Sequence, residues 1–199
     1  RIQMKMNSLV DPRVITALED AASKGVKVDL LIRGICTLDV SHSDHGNIRV
    51  RSVLGRFLEH SRIYVFGHGG DNDAPSYYIG SADIMPRNLD LRVEVLVPIR
   101  HPKHQSWLAK VLEIMWSDDV VRFELNRDGE WKREGPSDFT FVHDAQGQLM
   151  KWATDLQLSQ GTPSEFDLDE SPRRTPNSQL YSGVKGWFRD RFTSESDPS

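Results

Sequence analysis

Residues 2–34, IQMKMNSLVDPRVITALEDAASKGVKVDLLIRG, carry the pattern that decides the fold. Ile2, Met4 and Met6 alternate with Gln3, Lys5 and Asn7, as they do in a half-buried strand. Asp11-Pro12 predicts a helix start. An aspartate accepts from the free N–H groups of a first turn, and the fixed φ of proline suits the first helical position. Val14, Ile15, Leu18, Ala21 and Ala22 recur at helical spacing, and Gly25 stands where such a helix ends. Val26 to Ile32 is a second apolar run, closed by Arg33-Gly34. Strand, helix and strand in this order need a crossover, so the two strands pair in parallel and an α/β domain is expected.

Downstream, 39–47 is a polar loop with His42, Asp44 and His45. Ile48 to Leu54 alternates as a strand, Arg62 to Phe66 forms another, and Tyr77 to Gly80 is a short return strand. The segment 81–91 reads as loop, and Arg92 to Pro98 as a strand stopped by proline. Trp107, Leu108, Val111, Leu112, Met115 and Trp116 share one stripe of an amphipathic helix. After about residue 120 the periodicity weakens. Residues 160–199 hold four of the ten prolines and seven serines with few aliphatics, too little apolar surface to offset the entropy of ordering. Trp187 to Phe192 is the one stretch there with the makings of a short docking helix.

Composition narrows the function. No apolar run approaches the roughly 20 residues that span a bilayer. A single cysteine, Cys36, excludes a disulfide framework and a Cys-rich zinc site, and fits a reducing compartment. The net charge is −4 and the mean hydropathy −0.50. Residues 1–100 carry 13 Lys and Arg against 12 Asp and Glu, whereas 101–199 carry 12 against 17. That balance opposes non-specific DNA binding but leaves room for a local basic pocket. With no initiator Met and a strand pattern already running at Ile2, the sequence is expected to be a piece of a longer chain.

Four strand ends offer phosphate-binding chemistry. Lys5 and Asn7 end the first strand and point to one face, because the strand period is two. Arg33 follows the apolar run 30–32, at the carboxyl end of a parallel strand, where ligands collect in α/β folds. It is either a surface arginine or a planar fork for phosphate. His60 and Arg62 enter the strand that begins at Arg62, and a histidine there is either structural or an acid, base or nucleophile. Gly80-Ser81-Ala82-Asp83 turns Ser81 and Asp83 into one space, followed by Arg87, Asn88, Arg92 and Glu94. Arg92 and Glu94, read as one face of a strand, are either a structural ion pair or part of a site. Cations converging on a histidine answer the electrostatic needs of phosphoryl transfer. His42, Asp44 and His45 lack a third clear metal ligand, and Gly67-His68-Gly69-Gly70 lacks the Gly-Lys-Ser/Thr ending of a P-loop.

His60-Ser61-Arg62, Gly80-Ser81-Ala82-Asp83 and then Asn88 and Glu94 resemble the half-motif of the phospholipase D superfamily, His-x-Lys, Gly-Ser-x-Asn and Asn-x-Glu. Arg62 stands for the lysine, Asp83 for the asparagine, and the last spacing is longer. Longer blocks resemble the C-terminal domain of bacterial polyphosphate kinases of the first type over roughly residues 2–120. They are Met4 to Pro12, Ile32-Arg33-Gly34 with Cys36, Arg56 to Tyr64, and Ser81 to Asp90.

The resemblance implies a phospholipase-D-like α/β domain with a mixed, largely parallel central sheet flanked by helices. It would span 1–125, with a poorly defined extension over 126–159 and a disordered tail over 160–199. It implies reversible transfer of the terminal phosphate of ATP to inorganic polyphosphate, with magnesium, through a phosphohistidine on a preceding domain. Arg33 and His60 match ATP-contacting positions, with His60 as the partner acid or base. Arg92, Arg87 and Lys5 are expected as further phosphate contacts, supported by Asn7, Arg62, Ser81, Asp83 and Glu94. The magnesium ligands are expected outside this chain. So are the upstream domains that would partner it in a homo-oligomer, in the cytoplasm or in association with a membrane. The fragment alone is expected to be inactive. The rival readings are a phosphodiesterase of the phospholipase D type and a non-catalytic half-domain that binds polyanions.

Overall fold

The computed structural model describes residues 1–41, 46–67, 74–120, 122–134 and 144–160. Residues 42–45, 68–73, 121, 135–143 and 161–199, with the histidine loop, the glycine run and the tail read above, lie outside the described residues. The opening unit forms as its pattern dictates. β1 (Ile2–Met6) leads to α1 (Pro12–Ser23), whose N-cap Asp11 accepts from the main-chain N–H groups of Arg13 at 3.0 Å and Val14 at 3.3 Å. Val14, Ile15, Leu18 and Ala22 are buried, and Gly25 leaves the helix at φ +88°, a conformation that costs glycine no Cβ clash. β2 (Val28–Ile32) then lies parallel to β1, with Met4 opposite Leu30.

β3 (Ile48–Val53) is parallel to β2. Their crossover is irregular where it is described, and it buries Leu38 and Val40 in the same core as α1. β4 (Ile63–Phe66), β5 (Ser76–Gly80) and β6 (Leu96–Ile99) extend one flank, and β7 (Arg122–Leu125) and β8 (Trp131–Glu134) extend the other. The order is β6-β5-β4-β1-β2-β3-β7-β8. The sheet is mixed and helix-flanked, as expected, but its parallel share is small. Among the described strands only β1–β2 and β2–β3 pair in parallel, and the other five pairings are antiparallel. The connections from β1 to β2, through α1, and from β2 to β3 cross over and return the chain parallel, whereas a short reversal such as the turn Asn126–Glu130 can only return it antiparallel.

Two segments depart from their sequence reading. Residues 86–91, read as loop, form α2 (Pro86–Leu91), with proline in its first turn. The strand expected from Arg92 begins at Leu96. Ser81 N–H donates to the Val95 carbonyl and Ser81 Oγ accepts from Val95 N–H, both at 3.0 Å, so the ladder starts at Gly80–Leu96. Arg92 and Glu94 therefore do not share a strand face. Pro98 lies inside β6 rather than ending it, which an edge strand tolerates. α3 (Pro102–Trp116) is capped by the His101 ring, which accepts from Lys103 N–H at 3.2 Å. α4 is Ala145–Gln160.

The sheet separates two cores. Among the described residues the core on the α1 face has 21 buried apolar side chains, four of them from α1 itself and others including Met4, Met6, Leu30, Ile32, Val50 and Tyr64. On the other face a cluster of eight joins Leu31, Val53, Ile63 and Val65 to Leu112, Ile114 and Met115 of α3 and Ala145 of α4.

Candidate functional site

The carboxyl ends of β1 and β2, the entrance to β4 and the turn after β5 meet in one polar network. Asn7, 6% exposed, is its hub. Its Oδ1 accepts from Arg33 Nε at 2.9 Å, and its Nδ2 donates to Asp83 Oδ1 at 3.3 Å. The Asp83 carboxylate also accepts the main-chain N–H groups of Asn7 at 2.8 Å and Ser8 at 3.3 Å. Arg62 grips the same carboxylate through Nε at 3.2 Å and Nη2 at 2.9 Å, the forked geometry that suits guanidinium to carboxylate. Burial alone would raise the Asp83 pKa, but the bond from Arg62, with those from the main chain, outweighs it and holds the carboxyl below its usual value.

The chain of contacts continues to His60. Arg62 Nη1 bonds His60 Nδ1 at 2.8 Å and donates to the His60 carbonyl at 3.0 Å. The imidazole itself is exposed. Lys5, 3% exposed, lies beneath this loop, pairs with Glu59 and donates to the Ser61 carbonyl at 3.0 Å. Burial, reinforced by the charges of Arg33 and Arg62, lowers the Lys5 pKa to about 8, against the opposing pull of Asp83. Lys5, Arg33 and Glu59 line one recess with Met6, Ile32 and Met115. Arg33 is half-buried, and among the described residues its Nη atoms have no partner.

A second, smaller cluster closes the turn after β5. Glu94 accepts from Ser81 Oγ and, at 2.7 Å, from Asn88 Nδ2. Asn88 is 4% exposed, and its Oδ1 is buried without a partner among the described residues. Arg87 and Arg92 flank this segment, exposed and with no side-chain partner among the described residues.

The structure thus joins Lys5, Asn7, Arg33, His60, Arg62 and Asp83. It sets Ser81 and Glu94 in the adjoining turn, and leaves Arg87 and Arg92 outside the hydrogen-bonded network. Sequence reasoning missed Glu59 as the partner of Lys5, although Glu59 adjoins His60. It also missed Tyr64, which lies at 0% exposure on β4 and donates to the Ala82 carbonyl at 2.6 Å, tying β4 to the turn that presents Asp83. An apolar strand pattern carries no signal for that hydroxyl.

The network accounts for both departures from the phospholipase D half-motif at once. Arg62 and Asp83 are one ion pair, 2.9 Å apart, with side chains 11% and 10% exposed. Each replacement supplies the charge the other needs for burial.

A family model for the polyphosphate kinase C-terminal domain 2 matches residues 1–146. Polyphosphate kinase 1 of Chlorobaculum tepidum is 50% identical over 173 residues, which is 85% of this chain and 24% of that protein. The polyphosphate kinase of Campylobacter jejuni subsp. doylei is 43% identical over 180 residues, 90% of this chain and 24% of its own length. The crystal structure of polyphosphate kinase from Porphyromonas gingivalis superposes with a TM-score of 0.72 at 34% identity, covering 79% of this chain and 24% of that one. The chain spans about a quarter of the length of these relatives.

Proposed function

The chain belongs to the polyphosphate kinase family, as its C-terminal domain 2, and we propose that it serves the reversible transfer of the terminal phosphoryl group of ATP to inorganic polyphosphate. In this reading a histidine outside this chain carries the phosphoryl group and His60 stands opposite it as acid or base. The 2.8 Å contact from Arg62 Nη1 to His60 Nδ1 carries the reading. A guanidinium only donates, and although its Nη2 also lies 3.5 Å from Nε2, the closer contact makes Nδ1 the acceptor and leaves a proton on Nε2. Nε2–H is then the group that hydrogen-bonds the leaving oxygen and steadies its charge; full proton transfer takes the imidazolium, formed when Nδ1 leaves Arg62 and gains a proton, so that giving up the Nε2 proton returns a neutral ring. Asp83 keeps Arg62 aimed, and through it the ring.

Arg33 is the phosphate contact that the geometry favours most, since Asn7 fixes its Nε while its Nη atoms are unengaged among the described residues. Arg87 and Arg92 add positive field from the turn beyond. Lys5 acts from below, holding Ser61 and Glu59. Among the described residues no three His, Cys, Asp or Glu side chains stand together as a metal set. In this reading the magnesium ligands lie outside this chain, and the ion would offset phosphate charge there. No helix among the described residues is long and apolar enough to cross a membrane. The proposal sets the working enzyme, a homo-oligomer with its other domains, in the cytoplasm or in association with a membrane.

The test is to incubate the full-length protein with ATP labelled at the γ-phosphate and map the acid-labile label by mass spectrometry. Label on a histidine outside this chain, chased into polyphosphate, supports the proposal. Label on His60 as the main adduct reverses the roles. Phosphodiester hydrolysis without transfer replaces the reading with the phospholipase-type one.

A further inference from the structure

The loop from Leu54 to Ser61 delivers His60 to the site, yet it buries little that would hold it. Phe57 is 49% and Leu58 75% exposed, and Arg56 and His60 are exposed as well. The loop is held instead by polar tethers at two points. Downstream, Lys5 bonds Glu59 and Ser61, and Arg62 bonds the His60 carbonyl. Upstream, the tether comes from α4. Gln146, 8% exposed, accepts the Phe57 N–H on Oε1 at 2.7 Å and donates from Nε2 to the Phe57 carbonyl at 2.8 Å. A primary amide has the donor and acceptor of a peptide group, so Gln146 pairs with Phe57 as a neighbouring strand would.

The tether is itself anchored. Asp118, 1% exposed, accepts from Ala145 N–H at 2.8 Å and Val120 N–H at 3.0 Å, which fixes the first turn of α4. Space for the amide depends on Gly55. A Cβ there would stand 2.5 Å from both Cδ and Oε1 of Gln146.

We propose that Gln146 is a positioning residue for His60, holding the upstream arm of its loop so that the imidazole meets the reacting phosphate. The inference rests on the reading of His60 as acid or base. Gln146 touches no reacting atom and acts only through the loop. With that arm released, the loop pivots about its Ser61 end, and a misplacement of about 1 Å at a reacting group costs on the order of 100-fold in rate.

Three variants test it. Gln146→Met keeps the volume and removes both bonds. Gly55→Ala expels the amide, and the atoms in its way are the end of a flexible side chain, so the fold gives cheaply. Gln146→Glu keeps an acceptor for the Phe57 N–H but has no donor for the carbonyl.

Amide hydrogen exchange on this chain is expected to quicken about tenfold or more across 57–61 in the first two variants, with β1, β2 and β4 unchanged. In the full-length kinase, kcat should fall about 10- to 100-fold while KM for ATP stays within about twofold. The double variant should be no worse than either single one, since both remove the same contact. Gln146→Glu should fall between wild type and Gln146→Met. Unchanged exchange at 57–61 overturns the inference, as does wild-type kcat in Gln146→Met or a raised KM with kcat intact. A wild-type protein that transfers no phosphate from ATP to polyphosphate overturns the proposed function instead, and the exchange measurement then still decides the tether.

Discussion

Two adjacent rows of residues cross the same sheet and differ in nearly everything. One runs Pro98–Tyr78–Tyr64–Met4–Leu30–Val50 and faces α1. The other runs Val97–Ile79–Ile63–Lys5–Leu31–Arg51–Glu124–Lys132 and faces α3. In the first row Tyr64, Met4 and Leu30 are at most 1% exposed, and the Tyr64 hydroxyl donates to the Ala82 carbonyl. The second turns ionic halfway across. Lys5 takes Glu59, while Arg51 takes Glu124 at 2.5 Å, bonds the Trp116 carbonyl at 2.7 Å and stacks over the Trp116 ring at 4.3 Å. The first row makes the fold by removing apolar surface from water. The second admits charge because each ion is given a specific partner. At its centre, Lys5 lies under the loop that carries His60. The site thus grows from the face whose contents are least able to hold themselves by packing.

The contrast is sharpest if the site row governs chemistry and the apolar row governs stability. His60→Ala in the full-length enzyme should lower turnover on the order of 10²–10⁴-fold. Because the ring is exposed, the thermal midpoint should hardly move. Unchanged turnover removes His60 from the mechanism.

Leu30→Ala, at 0% exposure in the apolar row, should cost about 2–5 kcal/mol in urea unfolding while leaving kcat per folded molecule intact. A fall in kcat without loss of stability would break the comparison.

Lys5 titrates at about 8 in the folded chain, against an ordinary lysine value of 10.5. Below about pH 8 both folded and unfolded states hold the proton, and the folded state bears the full cost of the buried charge. Between about 8 and 10.5 only the unfolded state still holds it, so stability rises with pH, by at most about 3 kcal/mol. Urea midpoints from pH 7 to 10 should show this rise in the wild type and not in Lys5→Met. Parallel curves for the two proteins would remove Lys5 as its source.

Asp83→Asn retains the shape but loses the Arg62 ion pair, and should cost about 1–3 kcal/mol near neutral pH. The Asp83 pKa is depressed in the folded chain, so its contribution is present above the ordinary value of 3.8 and is lost as pH falls below it. Acid titration of the variant should therefore be flatter over that range, and an unaltered acid limb would count against the pair.

Much of this arrangement is legible in local patterns. Asp11-Pro12, the apolar spacing of α1 and Gly25 mark the first crossover within a few residues of where it lies. Period two in β1 sets Lys5 and Asn7 at the site and Met4 and Met6 in the core. Strand ends after Ile32, before Ile63 and after Gly80 bring Arg33, His60, Arg62 and Asp83 within reach of one another. The return segment defeats a local reading because Val93, Val95 and Val97 alternate as a strand does. Yet Ser81 holds the chain at Val95, and only the part from Leu96 joins the ladder.

What the sequence by itself determined is the type and direction of the first three elements and the chemistry available at their ends. Helical spacing, caps and strand period act between residues at most a few positions apart, so they survive in the linear text. Tertiary structure alone decided the flanking antiparallel strands, the choice of Asn7 as hub, and the pairing of Arg62 with Asp83, 21 residues away. It also decided the bond from Gln146 to Phe57, 89 residues apart. Contacts at such separations form only when loops close and a register is chosen, and that choice is made by the summed burial of whole faces.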